Sequence, residues 1–287
     1  MKKIYYVLLG IFSLHPLLLE GAWQKRHTTK QFSQRLITEQ PKVASQKSTS
    51  GIRGKLKEYI KPEGLLAAVT DYRWRGVSQT EREPAVQGQL VLGTKYGFYT
   101  NIWGSYVNFF DDIGNRVHAE LDFGGGNSRR WGKDKEWNYD VAILYTFYPK
   151  AVGNNYEEVI GSIGYRIAKI GFACSSNVLG FGVPGLYLFC DLAHNFPIPL
   201  PFGQKGLGLA FHMGTYKFFD TNRFSELNYS DFKVAVVKTF VEHITLEIAF
   251  VATDGGWRSG IGRLQEPTLG SLKNGDPTFL AGLSITF

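Results

Sequence analysis

From Gly64 to the terminal Phe287, apolar side chains recur at every second position over runs of ten to twelve residues. A period of two places alternate side chains on opposite faces of an extended chain, so each run reads as a two-faced β-strand. In the run Asn138–Tyr148, Tyr139, Val141, Ile143, Tyr145 and Phe147 share one face, opposite Asn138, Asp140, Ala142 and Thr146. Leu207, Leu209, Phe211 and Met213 oppose Gly208, Ala210, His212 and Gly214 in the same way, and Ile244, Leu246, Ile248 and Phe250 oppose Thr245, Glu247, Ala249 and Val251. Val117, Ala119, Leu121 and Phe123 are placed opposite His118, Glu120 and Asp122. Twelve such segments are expected, with cores at 64–75, 85–95, 98–109, 116–125, 137–148, 155–166, 168–177, 185–195, 206–217, 229–240, 243–253 and 277–287. Gly, Pro, Asn and Asp fill the spacers and break the strands there.

Segment length separates two all-β solutions. Soluble sandwiches use strands of about 5–6 residues, whereas a tilted strand that crosses a bilayer needs about 9–11. The polar faces here carry Gly, Ala, Ser and scattered charges, which suits a lumen, while the continuous apolar faces suit lipid. Aromatic residues near segment ends (Tyr72, Trp74, Tyr96, Phe98, Tyr145, Tyr148, Tyr216, Phe218) fit the two interfacial girdles of such a barrel. The expected fold is an all-β, antiparallel, up-and-down transmembrane barrel of about twelve strands; a secreted β-sandwich is the alternative. High aromatic content, 15%, with a mean hydropathy of only −0.15 agrees with two-faced strands rather than apolar helices.

Charge divides the chain. Of 32 Lys and Arg, ten fall in residues 23–62 against two Glu, a net +8, whereas 63–287 carries 20 Lys and Arg against 22 Asp and Glu. The basic pI of 9.2 thus belongs to a short segment, and no nucleic-acid partner is expected. Residues 1–22 read as a signal peptide: Lys2 and Lys3 precede the apolar run Ile4–Leu14, and Pro16 follows. A buried N-terminal helix is the other reading. Residues 23–62, rich in Lys, Gln, Ser and Thr, read as a basic, disordered periplasmic extension, or as an arm that meets anionic lipid or polymer. Residues 63–287 form the barrel domain.

The first barrel segment resembles a known family. The run Ala68-Val69-Thr70-Asp71-Tyr72-Arg73-Trp74-Arg75-Gly76-Val77-Ser78-Gln79-Thr80, followed by Pro84-Ala85-Val86-Gln87-Gly88, is similar to the opening blocks of the TorF family of Gram-negative porin candidates. Weaker similarity lies in Gly97-Phe98-Tyr99, Trp103, Glu120-Leu121-Asp122 and Tyr139-Asp140-Val141. Trp74 stands where members carry Phe, and the basic 23–62 segment is a departure from their pattern. The resemblance implies an outer-membrane barrel and names no solute. The C-terminal strand ending in Phe287 resembles the closing strand that the barrel assembly machinery recognises, so that machinery, outer-membrane lipid and lipopolysaccharide are the expected partners. The oligomeric state is left open.

Alternation places Asp71, Arg73 and Arg75 on the lumen face of a first strand 64–75, with Tyr72 and Trp74 on the lipid face. A charge facing lipid at the midplane costs about 2–4 kcal/mol, so the trio belongs inside. It reads either as a constriction that sets ion selectivity or as part of an ion-pair ladder. Other pore-lining candidates are Gln87, Gln89, Glu120, Asp122, Asp140, His212, Asp231, Lys233 and Glu247. The expected function is a pore for passive diffusion of small hydrophilic solutes or ions. The alternatives are a plugged, non-conducting barrel and, third, a lipid-modifying enzyme. No catalytic residues, metal or cofactor are expected: His118 and His212 have no His-x-Ser pair or Gly-x-Ser-x-Gly elbow beside them. Gly124-Gly125-Gly126 reads as a turn. Cys174 and Cys190 flank the 180–185 turn and either pair or stand as separate small residues.

Overall fold

The computed structural model describes residues 60–111, 114–196, 207–219, 228–240, 243–254 and 274–287. The expected signal peptide and almost all of the basic extension lie outside the described residues. Strand β1 (Ile60–Val69) pairs with β4 (Ala85–Thr94), then come β5 (Phe98–Phe110), β6 (Arg116–Trp131), β7 (Trp137–Phe147), β8 (Tyr156–Tyr165), β9 (Ala168–Ser175), β10 (Gly185–Phe196), β11 (Leu207–Phe218), β12 (Tyr229–Phe240), β13 (Ile244–Thr253) and β14 (Thr278–Thr286). Every neighbour is antiparallel, and β14 closes on β1 with Leu65 opposite Thr286 and Val69 opposite Gly282. The result is a closed twelve-stranded antiparallel barrel. Closure gives each strand a neighbour on both sides, so the wall has no open sheet edge.

Burial follows the period of two. On β7, Asn138, Asp140, Ala142, Leu144 and Thr146 point inward and are buried, while Val141, Ile143 and Tyr145 are exposed. Ile102, Ile163, Ile170, Leu188 and Ile248 continue the exposed apolar band around the barrel. The two ends differ. Turns 95–97, 132–136, 166–167 and 241–243 are short and, with the longer connection 197–206, lie at the end that holds Ile60 and Phe287; at the opposite end 111–115 is short and the connections 70–84, 148–155, 176–184, 219–228 and 254–277 are longer. Around the short-turn end runs an exposed aromatic ring of Tyr96, Phe98, Trp131, Trp137, Tyr165, Phe196 and Phe240. Trp131 stacks on Trp137 at 6.0 Å, and Trp137 meets Tyr165 at a tilt of 48°, centroids 4.7 Å apart.

Several local expectations are corrected. Strand β1 starts at Ile60, three residues inside the presumed extension, because Ile60, Lys61 and Pro62 register with Thr94, Gly93 and Leu92. It also stops at Val69, not residue 75. Gly124-Gly125-Gly126 is not a turn but the middle of β6. Glycine is used there for close approach: a Cβ on Gly124 would sit 2.5 Å from Asn101 Oδ1, and one on Gly126 would lie 2.8 Å from the Tyr99 hydroxyl. A bulge between Tyr106 and Phe109 shifts the register of β5 on β6. Val117 is consequently buried and His118 lies outside, stacked on Tyr106. Cys174 registers with Leu186 and Cys190 with Ile170, so the two thiols are not opposite one another and both are free.

Candidate functional site: a hairpin inside the lumen

The alternation that ends at Val69 gives way to a folded segment, 70–84, rather than to more strand. Two short strands, β2 (Arg73–Trp74) and β3 (Val77–Ser78), pair across a tight turn. The turn needs left-handed backbone at Arg75 (φ 48°) and Gly76 (φ 82°). Asp71 organises the segment: its Oδ1 accepts from the Ser78 and Thr80 hydroxyls at 2.6 and 3.0 Å, and its Oδ2 from Arg73 Nε at 2.8 Å. Arg73 Nη1 also donates to the carbonyls of Gly76 and Asp276, both at 2.9 Å. Three hydrogen bonds to one carboxylate make a charged clasp inside the protein.

This hairpin lies across the barrel. Tyr72 donates to Glu120 Oε1 on β6 at 3.0 Å and packs on Trp103 of β5. Trp74 meets Tyr156 of β8 and Tyr216 of β11 edge-on. Arg75 makes a bidentate pair with Glu158 of β8, at 2.8 and 2.9 Å, with both side chains only 2% exposed. Its guanidinium also sits over the rings of Trp74, Tyr187 and Tyr216 at 4.3, 4.4 and 5.0 Å. Gly76 abuts β12 and β13 so closely that a Cβ would lie 2.6 Å from Asp231 Cβ and 2.7 Å from Thr253 Cγ2. One short segment thus touches the wall from β5 round to β13, in the half of the lumen nearest the longer connections. Burial opposes the charge on Arg75, yet the Glu158 carboxylate outweighs it and holds the guanidinium pKa above its ordinary value. Burial, reinforced by Glu120 and Asp122, pushes the Tyr72 hydroxyl well above the usual phenol range.

Asp71, Arg73 and Arg75 are therefore inside the barrel as expected, but on an inserted loop rather than a spanning strand. Tyr72 and Trp74 are corrected from lipid-facing to buried, as are Tyr216 and Phe218, whose rings fill the lumen. Gln87 and Gln89 face inward from β4; Gln87 donates to Ser105 Oγ at 3.3 Å. Glu120 accepts a second hydroxyl, from Tyr148, at 2.8 Å, and buried Asp122 lies one inward position further along β6. Asp140 accepts from Tyr99 at 2.8 Å.

Across β9 to β13 a chain of charges lines the wall. Lys169 pairs with Asp191 at 2.9 Å, Asp191 with His212 Nδ1 at 2.6 Å, and His212 Nε2 meets the Tyr187 hydroxyl at 2.6 Å. Tyr187 donates to Asp231 at 2.8 Å, and Lys233 pairs with Glu247 at 2.5 Å. His212 and Asp231 are thus brought together in one network, and Lys233, opposite His212 in the ladder, forms a separate pair with Glu247. Lys169, Asp191 and Tyr187 in this network, and Glu158 beside Arg75, are inward residues that the alternation pattern did not single out. The adjacent Glu157 and Glu158 left the inward residue of β8 undecided, and the inward rings Tyr187 and Phe189 masked the phase of Asp191. Among the described residues no cluster of His, Cys, Asp or Glu has the arrangement of a metal site.

Residues 63–285 match the model of the Gcw_chp family, described as bacterial proteins of unknown function. The chain belongs to this family. No curated protein matches it. Similar solved structures include the NanC porin (10% identity, 79% of this chain and 99% of that one, TM-score 0.45) and the KdgM porin (6%, 79% and 99%, TM-score 0.45). An outer membrane channel from Pseudomonas putida F1 is similar at 10% identity over 78% of this chain and 94% of that one, TM-score 0.40. These are likenesses of barrel architecture; the twelve-stranded closure of this member of Gcw_chp stands on its own strand pairing.

Proposed function

We propose that this protein is an outer-membrane barrel of porin type whose lumen is closed near its long-loop end by its own 70–84 hairpin. The closed barrel, the exposed apolar band and the aromatic ring at the short-turn end support a membrane-spanning role, since together they match a barrel solvated by lipid. The short turns and both termini then face the periplasm, with residues 23–59 on that side, and lipopolysaccharide surrounds the opposite rim. Phe287, exposed at the barrel's closing strand, is the proposed signal for the assembly machinery. The TorF resemblance supports the same reading.

The observation that carries closure is the Arg75–Glu158 pair, because it anchors the first loop to a strand on the far side of the barrel. Displacing the hairpin would open a path lined by Gln87, Asp140, Ser162, Asp191 and Lys233. Solutes then pass when the hairpin is displaced and not when it is seated. A permanently closed barrel is the second reading, favoured by the number of buried charge pairs holding the hairpin and wall. An enzymatic reading has less support: the Asp191–His212–Tyr187 chain ends on a hydroxyl that itself donates to Asp231, which leaves no activated nucleophile.

Planar-bilayer recording tests this. The wild-type barrel should conduct rarely, and a variant with 72–79 replaced by a short Gly-Ser link should conduct steadily. A folded, heat-modifiable link variant that stays silent would support the permanently closed barrel. Equal steady conductance in both proteins would sink the closure proposal. Recovery of the protein in a soluble periplasmic fraction would end the membrane reading altogether.

A further inference from the structure

Arg75 is held by the barrel wall more than by its own loop. Both carboxylate oxygens of Glu158 on β8 accept from its guanidinium, at 2.8 and 2.9 Å. Of the three rings that the guanidinium sits over, Tyr187 and Tyr216 belong to β10 and β11, at 4.4 and 5.0 Å, and only Trp74 is the hairpin's own. Tyr187 stands directly opposite Tyr216 in the ladder, and Tyr216 opposite Tyr229 of β12, so three rings form one row across three strands.

That row has supports of its own. The Tyr187 hydroxyl donates to Asp231 at 2.8 Å and meets His212 Nε2 at 2.6 Å, and its ring lies 5.7 Å from that of Tyr216. Tyr216 is flanked in turn by Phe218 at 4.9 Å and by Tyr229 at 6.0 Å. All of these partners are strand residues, so the rings keep these contacts when the hairpin leaves. What remains in the wall is a seat with one carboxylate and two ring faces.

Its chemistry selects a guanidinium. A carboxylate accepts two parallel N–H bonds from that planar fork, and the ring faces attract its charge. An ammonium offers the charge without the fork. An anion would be repelled by Glu158 and, past Tyr187, by Asp231. Lys169 and Lys233 do not offset this, since they are matched to Asp191 and Glu247.

We propose that Glu158, Tyr187 and Tyr216 form a solute site for a small guanidinium-bearing cation, and that Arg75 occupies it as an internal stand-in for that solute. This rests on the reading that the hairpin is displaced when solutes pass. A solute guanidinium then competes with Arg75 for one seat, so the cation that the wall binds also favours the displaced hairpin.

The test is saturation-transfer NMR in detergent micelles on the full-length chain with 72–79 replaced by the Gly-Ser link, its folding checked by heat-modifiable mobility. The probes are methylguanidinium, methylammonium and acetate, each read at its methyl signal. Methylguanidinium should bind saturably, methylammonium at least several-fold more weakly, and acetate not at all. Glu158→Gln in the link protein should weaken methylguanidinium by about tenfold or more, the range of hydrogen bonds to charged groups. Tyr216→Leu should weaken it by about twofold to tenfold, as one ring face is lost. Arg75→Gly empties the same seat without removing the hairpin, and glycine suits the left-handed backbone there (φ 48°). Millimolar methylguanidinium should raise the thermal midpoint of Arg75→Gly and not that of Arg75→Gly/Glu158→Gln. In planar bilayers it should also raise the open probability of the wild-type protein.

Where the link protein folds, absence of saturable binding overturns the site; where it does not fold, absence of thermal rescue does. Equal binding of methylammonium or acetate, or unchanged affinity in either variant, overturns it as well. A link protein that conducts steadily but binds no methylguanidinium loses the site and keeps the closure reading. Binding with no rise in wild-type opening overturns Arg75 as a displaceable stand-in and supports the permanently closed barrel.

Discussion

Arg75→Met tests the hairpin most directly. The native guanidinium makes two charge-assisted bonds to Glu158 at 2.8 and 2.9 Å, and both side chains are almost fully removed from solvent. Surface pairs contribute little, but removing one partner of a buried pair costs about 3–5 kcal/mol, chiefly because the other charge is left buried alone. Here that charge is Glu158, walled by Tyr156 and Ile160 on its own strand. Met fills much of the stem volume and keeps contact with Trp74, Tyr187 and Tyr216, so lost packing is a minor part. A penalty of about 3–5 kcal/mol on the seated hairpin multiplies the displaced-to-seated ratio by roughly a hundred to a few thousand. Open probability in planar bilayers should therefore rise by up to that factor until it saturates. The double variant Arg75→Met/Glu158→Met leaves no orphan charge and should be much less open than the single one. A single variant with wild-type open probability, or a double variant as open as the single, would refute the idea that this pair seats the loop.

Gly76→Ala should unseat the hairpin by a different route, since its positive φ and the 2.6 Å approach to Asp231 Cβ exclude a methyl group; a loss of about 1–3 kcal/mol is expected, read as a lower thermal midpoint or a higher open probability. Tyr72→Phe removes one of two hydroxyls on Glu120 and should cost about 1.5–3 kcal/mol, as for hydrogen bonds to charged groups; an unchanged thermal midpoint would contradict the lumen position of Tyr72. Cys174 and Cys190 should both be alkylated under non-reducing denaturing conditions, with electrophoretic mobility unaffected by reductant; a reductant-dependent shift would refute the register of β9 on β10.

Much of the barrel was legible because a strand's period is local. Each of the twelve segments carries its own two-faced pattern, and the antiparallel order of neighbours follows from short connections. Asp140, His212, Asp231, Lys233 and Glu247 fell on the inner face for the same reason: they share the phase of their strand's small residues. The pattern failed where geometry left the strand. Asp71, Arg73 and Arg75 alternate as a strand would, but the residues between them, Tyr72 and Trp74, find better partners in Glu120 and Tyr216 than in lipid. The three glycines of β6 looked like a turn because glycine's lack of a side chain serves both a tight bend and a close strand approach.

By itself, then, the chain's alternation determined strand number, strand direction and which face of each strand meets solvent or lipid, because those depend on neighbours two residues away. Tertiary structure decided that the first loop turns inward, that Arg75 meets Glu158 and that Lys169, Asp191, His212 and Asp231 join into one network. Those partners lie on different strands or, for Arg75, on the inserted loop, 83 residues from Glu158. Only closing the barrel sets their distances, and only the shape of the enclosed space decides whether a loop fits inside it.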